Sequence, residues 1–227
     1  MTQAGNQTYR GPDDVPPVVP VFPLPAALLL PRGQMPLNIF EPRYLAMVDG
    51  AMRGDRVIGM IQPRFDKGPL DLAGRPALCR IGCLGRITQY AETGDGRLLV
   101  TLSGIARFEV DEELATTTPY RQVQAATDAF ADDFKPHLGE AEVDRKTLMR
   151  VFRAYLEANN LEADWSSFDQ APTEALVNTL SMMAPYGPAE KQALLEAQDL
   201  KTRADMLVAL TEMVLAGGDG QPRGPLQ

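Results

Sequence analysis

Hydrophobic and polar positions alternate between residues 79 and 113, and a period of two is typical of β-strands. One side of the first predicted strand carries Ile81, Cys83, Gly85 and Ile87. Its other side carries Leu84, Arg86, Thr88 and Tyr90. The run Thr-Gly-Asp-Gly at 93–96 offers the positive-φ positions of a tight hairpin. The chain returns through Leu98, and we expect another turn at Ser103-Gly104 before a third strand through Phe108. The segment therefore predicts a three-stranded meander.

The flanking segments predict more short strands and one helix. Residues 15–37 are apolar but repeatedly interrupted by proline, which favours short, kinked, extended pieces over a spanning helix. Glu41-Pro42 should open a helix, because proline suits the first helical position. The buried side of that helix is predicted to carry Tyr44, Leu45, Val48 and Met52. We expect strands at 56–62 and 120–126, and a loop at 63–76 that is either functional or a tolerated surface excursion.

From about residue 139 the apolar period changes from two to 3.6, which predicts helices. The first two are marked by Leu148, Val151, Phe152 and Tyr155, and by Leu176, Val177, Leu180 and Met183. A third should begin at Pro188, and Asp199 should cap a fourth. Met182, Met183, Met206 and Met213 lie at helical spacing beside leucines, so we expect them in the core and not on an adaptable binding surface.

These periods divide the chain into parts and set its fold class. We expect a disordered segment at 1–15, a β-rich part at 16–135, a helical part at 136–216 and a disordered tail at 217–227. A length of 227 residues is enough to bury a substantial core. The sequence therefore predicts an α+β protein whose β-rich part precedes a small helical bundle.

Five short motifs, in order, carry a family resemblance. They are Val-Phe-Pro-Leu-Pro at 21–25, Leu-Asn-Ile-Phe-Glu-Pro-Arg-Tyr at 37–44, Gly-Cys-Leu-Gly-Arg-Ile at 82–87, Asp-Gly-Arg at 95–97 and Gly-Ile-Ala-Arg-Phe at 104–108. The series resembles the Lon N-terminal domain, also called the LON substrate-binding domain. The resemblance implies that the β-rich part is a PUA-like pseudo-barrel and that the helical bundle completes the same domain.

The resemblance also implies a function. In this family the domain precedes an ATPase and a Ser-Lys peptidase in Lon proteases, forms part of cereblon, and also occurs alone. Neither enzymatic part accompanies it in this sequence, so we expect the stand-alone form. The family domain contacts unfolded or degron-bearing proteins and contributes to self-association. We therefore expect a non-enzymatic module that binds a polypeptide substrate or a protease partner, by strand addition at a sheet edge or through an apolar groove lined by both parts.

The motifs supply most of the candidate binding residues. These are Phe40, Glu41, Arg43, Tyr44, Arg86 and Arg107, together with Phe65 in the 63–76 loop. We expect the Glu41 carboxylate to accept backbone N–H bonds at the helix start, and a nearby arginine to hold it bidentately and so lock the helix onto the sheet. The charged motif positions are expected to be mainly structural, with ligand contact as the alternative. Likewise, Arg86, Arg97 and Arg107 either pair with carboxylates on the sheet surface or form a row facing a ligand groove.

Recognisable catalytic chemistry is missing from the sequence. It contains no Walker-type phosphate loop, no G-x-S-x-G elbow and no lysine placed to activate a serine, so we expect no enzyme and no cofactor. Cys79 and Cys83 would lie about 13 Å apart on one strand, too far for a disulfide. We expect two reduced, buried thiols. With His137 as the only histidine, we expect no metal site.

Charge and the N-terminal sequence narrow the classes of partner. The net charge of -8 disfavours nucleic acid or an anionic membrane as the main partner. The polar N-terminus has no apolar run typical of a secretory signal, so we expect a cytoplasmic protein. An RNA-binding PUA-like protein and an unrecognised hydrolase remain alternatives. Steeply salt-dependent RNA binding, or a nucleophile within hydrogen-bond reach of a base, would favour them.

Overall fold

A computed structural model describes residues 1–64, 75–161 and 164–217. The chain forms two compact units, Met1–Pro136 and His137–Gln227, and this division lies next to the predicted boundary. Phe65 and most of the 63–76 loop fall outside the described residues, as does all but the first residue of the predicted disordered tail. Strands dominate the first unit and helices the second, so the α+β prediction is confirmed.

Within residues 1–64 and 75–136, the first unit contains eight strands and one α-helix. In chain order they are β1 (Thr2–Ala4), β2 (Gln7–Tyr9), β3 (Val18–Pro23), β4 (Gln34–Ile39), α1 (Pro42–Arg53), β5 (Val57–Ile61), β6 (Ile81–Glu92), β7 (Leu98–Glu113) and β8 (Arg121–Ala126). A 3₁₀ segment at Asp128–Phe134 follows the last strand.

Six of these strands form one sheet that closes into a ring. The strand order is β4-β7-β6-β5-β3-β8, and β8 also pairs with β7. One edge of β7 carries β6, while its other edge carries β4 along residues 98–103 and β8 along residues 109–113. Only the β3–β5 pairing is parallel. The closed ring is therefore β7-β6-β5-β3-β8, and among the described strands β4 is attached to it through β7 alone.

The core of the first unit lies inside this ring. Its fully buried side chains include Val19, Val21, Leu84, Ile105, Phe108 and Val123. Ala4 and Tyr9 from the N-terminal hairpin belong to the same cluster, with exposed fractions of only 1% and 2%. The prediction of a disordered segment at 1–15 is therefore wrong: β1 and β2 pair and bury apolar residues against the core, an effect of tertiary packing that polar three-residue strands do not reveal.

The 79–113 meander is partly confirmed. The hairpin at 93–96 is present, with Gly94 and Gly96 at φ of 82° and 85°. The predicted turn at Ser103-Gly104 is wrong, because β7 runs through it as one strand of 16 residues. Gly104 is needed for close packing instead: a Cβ there would lie 2.0 Å from the Leu30 carbonyl oxygen. Strict alternation in β6 also fails, because the register shifts between Cys83 and Gly85 and both sides are buried there.

The second unit is helical. Its α-helices are α2 (Arg145–Ala158), α3 (Trp165–Gln170), α4 (Thr173–Met183), α5 (Pro188–Glu196) and α6 (Leu200–Ala216). The four predicted helices are confirmed, and α3 is an addition. The predicted cap of α6 is present, because the Asp199 carboxylate accepts a 2.7 Å hydrogen bond from the Thr202 N–H. Leu148, Val177 and Leu207 are among the buried residues of this unit.

The methionine prediction is wrong at two positions. Met183 and Met213 are 68% and 69% exposed, because each lies in the last turns of its helix, beyond the buried residues. The cysteine prediction is confirmed, since Cys79 and Cys83 are both free and buried. None of the described helices is both long and apolar enough to cross a bilayer.

Candidate functional site

The first unit contains a cavity of about 270 Å³ beside β4. It is lined by Phe22, Pro23, Leu24, Pro36, Leu37, Asn38, Ile39, Phe40, Glu41, Arg43, Tyr44, Pro76, Tyr120 and Arg121. These residues come from the end of β3, from β4, from the start of α1 and from the region where β8 begins, with Pro76 from the segment before β6. The motifs at 21–25 and 37–44 thus meet at one cavity. Four predicted site residues, Phe40, Glu41, Arg43 and Tyr44, lie together here.

Aromatic side chains shape both the inside and the rim of this cavity. Pro42 starts α1 directly after β4, which leaves Phe40 between the two elements with 61% of its surface exposed. Tyr44, in the first turn of the helix, is buried and packs on Phe22 with ring centroids 4.1 Å apart. Burial raises the pKa of the Tyr44 phenol, so it stays protonated at neutral pH.

Glu41 and Arg43 form an ion pair at the start of α1. Arg43 Nε and Nη2 donate to Glu41 Oε2 at 2.9 Å and 2.8 Å, and the guanidinium carbon lies 4.6 Å from the centroid of the Tyr44 ring. The expected bond from a backbone N–H to the Glu41 carboxylate is wrong. The carboxylate is turned towards Arg43, and it is the Glu41 main-chain carbonyl that accepts the Tyr44 and Leu45 N–H groups at 2.9 Å. An arginine does hold Glu41, as expected, but Arg43 belongs to α1 itself and both of these contacts reach the same carboxylate oxygen, so this pair does not lock the helix onto the sheet.

Arg121 is held by its neighbours on the other side of the cavity. Its Nε and Nη2 donate to the two carboxylate oxygens of Glu113 at 2.8 Å and 2.5 Å, and its Nη1 donates to the Pro76 carbonyl at 2.7 Å. These hydrogen bonds hold the pKa of the Glu113 carboxyl below its usual value. The arginines lining the cavity are thus paired with carboxylates, which leaves an apolar space bordered by neutralised charge.

Arg86 and Arg107 lie away from this cavity. Arg107 is 5% exposed, and its Nε and Nη2 donate to Asp133 at 2.8 Å each. Arg86 Nη1 donates to the Asp55 carbonyl at 2.5 Å and to the Tyr9 hydroxyl at 3.4 Å. Arg97 pairs with Asp95 in the exposed hairpin. Arg97 and Arg107 therefore pair with carboxylates, in agreement with the first of the two predicted alternatives. The Arg107 pair is buried, however, and does not lie on the sheet surface.

Several lining residues were not predicted as site residues. Phe22 lies in the 21–25 motif, which contributed only to the family resemblance. That motif was the sequence signal that could have indicated Phe22 as a site residue. Pro76, Tyr120 and Arg121 lie in no motif. The pairing of β8 with β3 and β7 brings Tyr120 and Arg121 to the cavity, and the Pro76 carbonyl accepts a hydrogen bond from Arg121 there. No local pattern in the sequence marks them.

A separate group of metal-ligating side chains occurs in the second unit. Ligand atoms of His137, Glu140 and Glu174 lie within 4.8 Å of one another. Hydrogen bonds account for this arrangement: Glu140 Oε1 accepts the Glu174 N–H at 2.8 Å, and Glu174 Oε2 accepts the His137 N–H at 3.0 Å. The Glu140 carboxylate therefore caps the first turn of α4, where unpaired N–H groups favour carboxylates, and Glu174 ties the chain at His137 to the same turn.

A family model, described as the ATP-dependent protease La (LON) substrate-binding domain, matches residues 18–212. The chain belongs to this family. Among curated relatives, Lon protease 2 of Myxococcus xanthus is 28% identical over 201 residues, covering 87% of this chain and 24% of the relative. Lon protease of Anaeromyxobacter dehalogenans is 26% identical over 201 residues, covering 87% and 23%. The chain thus spans about a quarter of the length of these relatives.

Solved structures share the fold. The Lon N-terminal domain protein from Xanthomonas campestris aligns with a TM-score of 0.59 at 22% identity, covering 85% of this chain and 97% of that one. The N-terminal domain of Lon protease from the Mycobacterium avium complex aligns with a TM-score of 0.60 at 18% identity, covering 86% and 98%. The resemblance carried by the five motifs is therefore confirmed, and the chain matches the substrate-binding part of Lon proteases.

Proposed function

We propose that this chain is a polypeptide-recognition module that binds unfolded or degron-bearing segments at the cavity beside β4. The observation that carries this proposal is an exposed aromatic ring, Phe40, at the rim of an apolar cavity built from two motif segments. A family whose model is described as substrate-binding supports the same assignment. A protease partner, self-association and a cytoplasmic location stay predictions.

The size and chemistry of the cavity favour a side chain as its occupant. A volume of about 270 Å³ lies just below the range of about 300–1,000 Å³ typical of small-molecule sites. Its lining is mostly apolar, and it includes no serine, cysteine or histidine among the described residues. Binding through hydrophobic contact therefore fits the cavity better than hydrolysis does. The carboxylates paired with its arginines also oppose RNA, whose phosphates need unpaired cations.

Fluorescence anisotropy with labelled, reduced and carboxymethylated α-lactalbumin tests this proposal, because that protein is permanently unfolded. We expect the wild-type chain to bind it and Phe40→Ala to weaken binding about tenfold or more, as for an aromatic hot spot. Tyr90→Ala is the matched control, since Tyr90 is 42% exposed on β6 and outside the cavity. It should change the Kd less than about twofold.

Native, disulfide-bonded α-lactalbumin serves as the ligand control and should not bind. Thermal unfolding of each variant shows whether the fold is intact. Equal affinity of wild type and Phe40→Ala would exclude this cavity as the binding site. No binding by the wild type would overturn the proposed function itself.

A further inference from the structure

We infer that the outer edge of β4 is a strand-addition site. An extended segment of another polypeptide pairs with β4 through main-chain hydrogen bonds and places an apolar side chain in the adjacent cavity. This inference rests on the proposed function, which assigns polypeptide binding to the cavity, and it adds how the bound chain is held.

The first observation is an opening in the sheet between β4 and the end of β3. Within the described part of the chain, β4 pairs with β7 alone. The pairing of β3 with β8 covers only Val18–Val21, so Phe22 and Pro23 extend beyond β8. Residues from both sides of this opening line the cavity. The cavity therefore lies where the sheet has no strand.

The second observation is that consecutive residues of β4 line the cavity. Successive side chains of a strand point to opposite faces, so a cavity on one face would contact every second residue. Here Pro36, Leu37, Asn38 and Ile39 all contribute. The cavity is therefore open along the edge of the strand, where its main chain is accessible.

The third observation fixes which main-chain groups of β4 face outward. Gly104 of β7 donates its N–H to the Gly33 carbonyl and accepts the Arg32 N–H, both at 2.8 Å. The even-numbered residues of this part of β7 therefore turn their main chain towards β4. Val100 lies opposite Leu37, so Leu37 bonds to β7 and the next residue, Asn38, faces outward.

Pro36 supports this assignment independently. Pro36 lies two residues before Asn38, so its main-chain groups face the same edge of the strand. A proline within a strand is tolerated where its missing N–H faces away from the sheet. The outer edge thus offers the N–H and C=O groups of Gln34 and Asn38, and the C=O group of Pro36. An extended polypeptide is the partner that matches such a row of donors and acceptors.

A foreign segment fits this edge better than a second copy of the chain does. Two-fold pairing of β4 with itself would place Pro36 in both strands, so each copy would contribute one missing donor. A net charge of -8 on each copy also opposes self-pairing. A single added strand pairs with one Pro36, so only one N–H donor is missing. It also avoids the repulsion between two copies that each carry a net charge of -8.

The variant Asn38→Pro tests the inference, because it removes the outward N–H while leaving the bonds of Leu37 to β7 in place. Asn38→Ala is the matched control, since it removes the same side chain but keeps the N–H. With labelled, carboxymethylated α-lactalbumin as the probe, we expect Asn38→Pro to bind about tenfold more weakly than Asn38→Ala, because the two variants share the loss of the side chain and differ in the main-chain N–H. Both should melt within a few degrees of wild type.

Amide hydrogen exchange gives a second readout that does not depend on the proline variant folding. The Asn38 N–H should exchange rapidly in the free protein and slowly with the probe bound, while the Leu37 N–H is protected in both states. Unchanged exchange at Asn38, or full binding by Asn38→Pro, would overturn strand addition. If Phe40→Ala still weakened binding, the cavity proposal would stand alone. A wild-type dimer that becomes monomeric in Asn38→Pro would identify a second copy as the occupant and refute the inference.

Discussion

Arg107→Ala should destabilise the first unit strongly, because Arg107 and Asp133 form a buried ion pair. Their side chains are 6% and 9% exposed, and the guanidinium donates to both carboxylate oxygens at 2.8 Å. Each charge-assisted bond is worth about 1.5–3 kcal/mol, and the variant leaves the Asp133 carboxylate buried without its cation. Together these effects predict a loss of about 3–5 kcal/mol in the free energy of unfolding.

Urea denaturation followed by far-UV circular dichroism measures this loss. Fluorescence is unsuitable, because the single tryptophan, Trp165, lies in the other unit. Arg97→Ala is the matched control: Arg97 pairs with Asp95 in an exposed hairpin, where side chains 53% and 59% exposed predict a change below about 1 kcal/mol.

Equal, small losses in Arg107→Ala and Arg97→Ala would refute the assignment of Arg107 as a structural residue. Unchanged stability of Arg107→Ala together with weaker binding of unfolded α-lactalbumin would instead move Arg107 into the binding site. Replacing the pair by Arg107→Met and Asp133→Leu should recover part of the loss, because no unpaired charge then remains buried.

Two further predictions concern the second unit, and urea denaturation followed by Trp165 fluorescence checks both. Burial lowers the pKa of Lys191 from its ordinary value of 10.5, although its Nζ donates to the Met182 carbonyl at 2.8 Å. The unfolded chain therefore binds more protons in the alkaline range, so wild type should gain stability relative to Lys191→Met as the pH rises from neutral towards 10.5, by about 1.4 kcal/mol per unit of pKa difference. A constant difference across that range would contradict this reasoning. The hydroxyl of Ser181 is buried and has no hydrogen-bond partner among the described residues, so Ser181→Ala should stabilise the protein by about 1 kcal/mol. A loss of stability would reveal a partner for that hydroxyl.

The helices and the 93–96 hairpin were predictable because their signals are local. A 3.6-residue apolar period, Pro42 and Asp199 at helix starts, and Gly94 at positive φ each depend on a few neighbouring residues. Gly104 shows the limit of that reasoning. A glycine in an apolar run indicates either a turn or a close contact, and only the position of Leu30, far away in the sequence, decides between them.

The candidate site was predictable only where it coincides with a motif. Phe40 and Tyr44 stand in the 37–44 motif, so sequence similarity led to them directly. Arg121 reaches the same cavity because β8 pairs with both β3 and β7, which no periodicity within β8 reveals. The outward direction of Asn38 depends likewise on the register between β4 and β7.

The closing strand of the ring also sets the order in which the chain can fold during synthesis. Val18 of β3 pairs with Gln124 of β8, more than a hundred residues later. Until β8 leaves the ribosome, β3 and the second half of β7 each have an edge without a neighbour, and such edges are prone to misassembly. Pairing over this distance also makes ring closure slow relative to helix formation. This chain is therefore itself an incompletely folded polypeptide with open strand edges for most of its own synthesis.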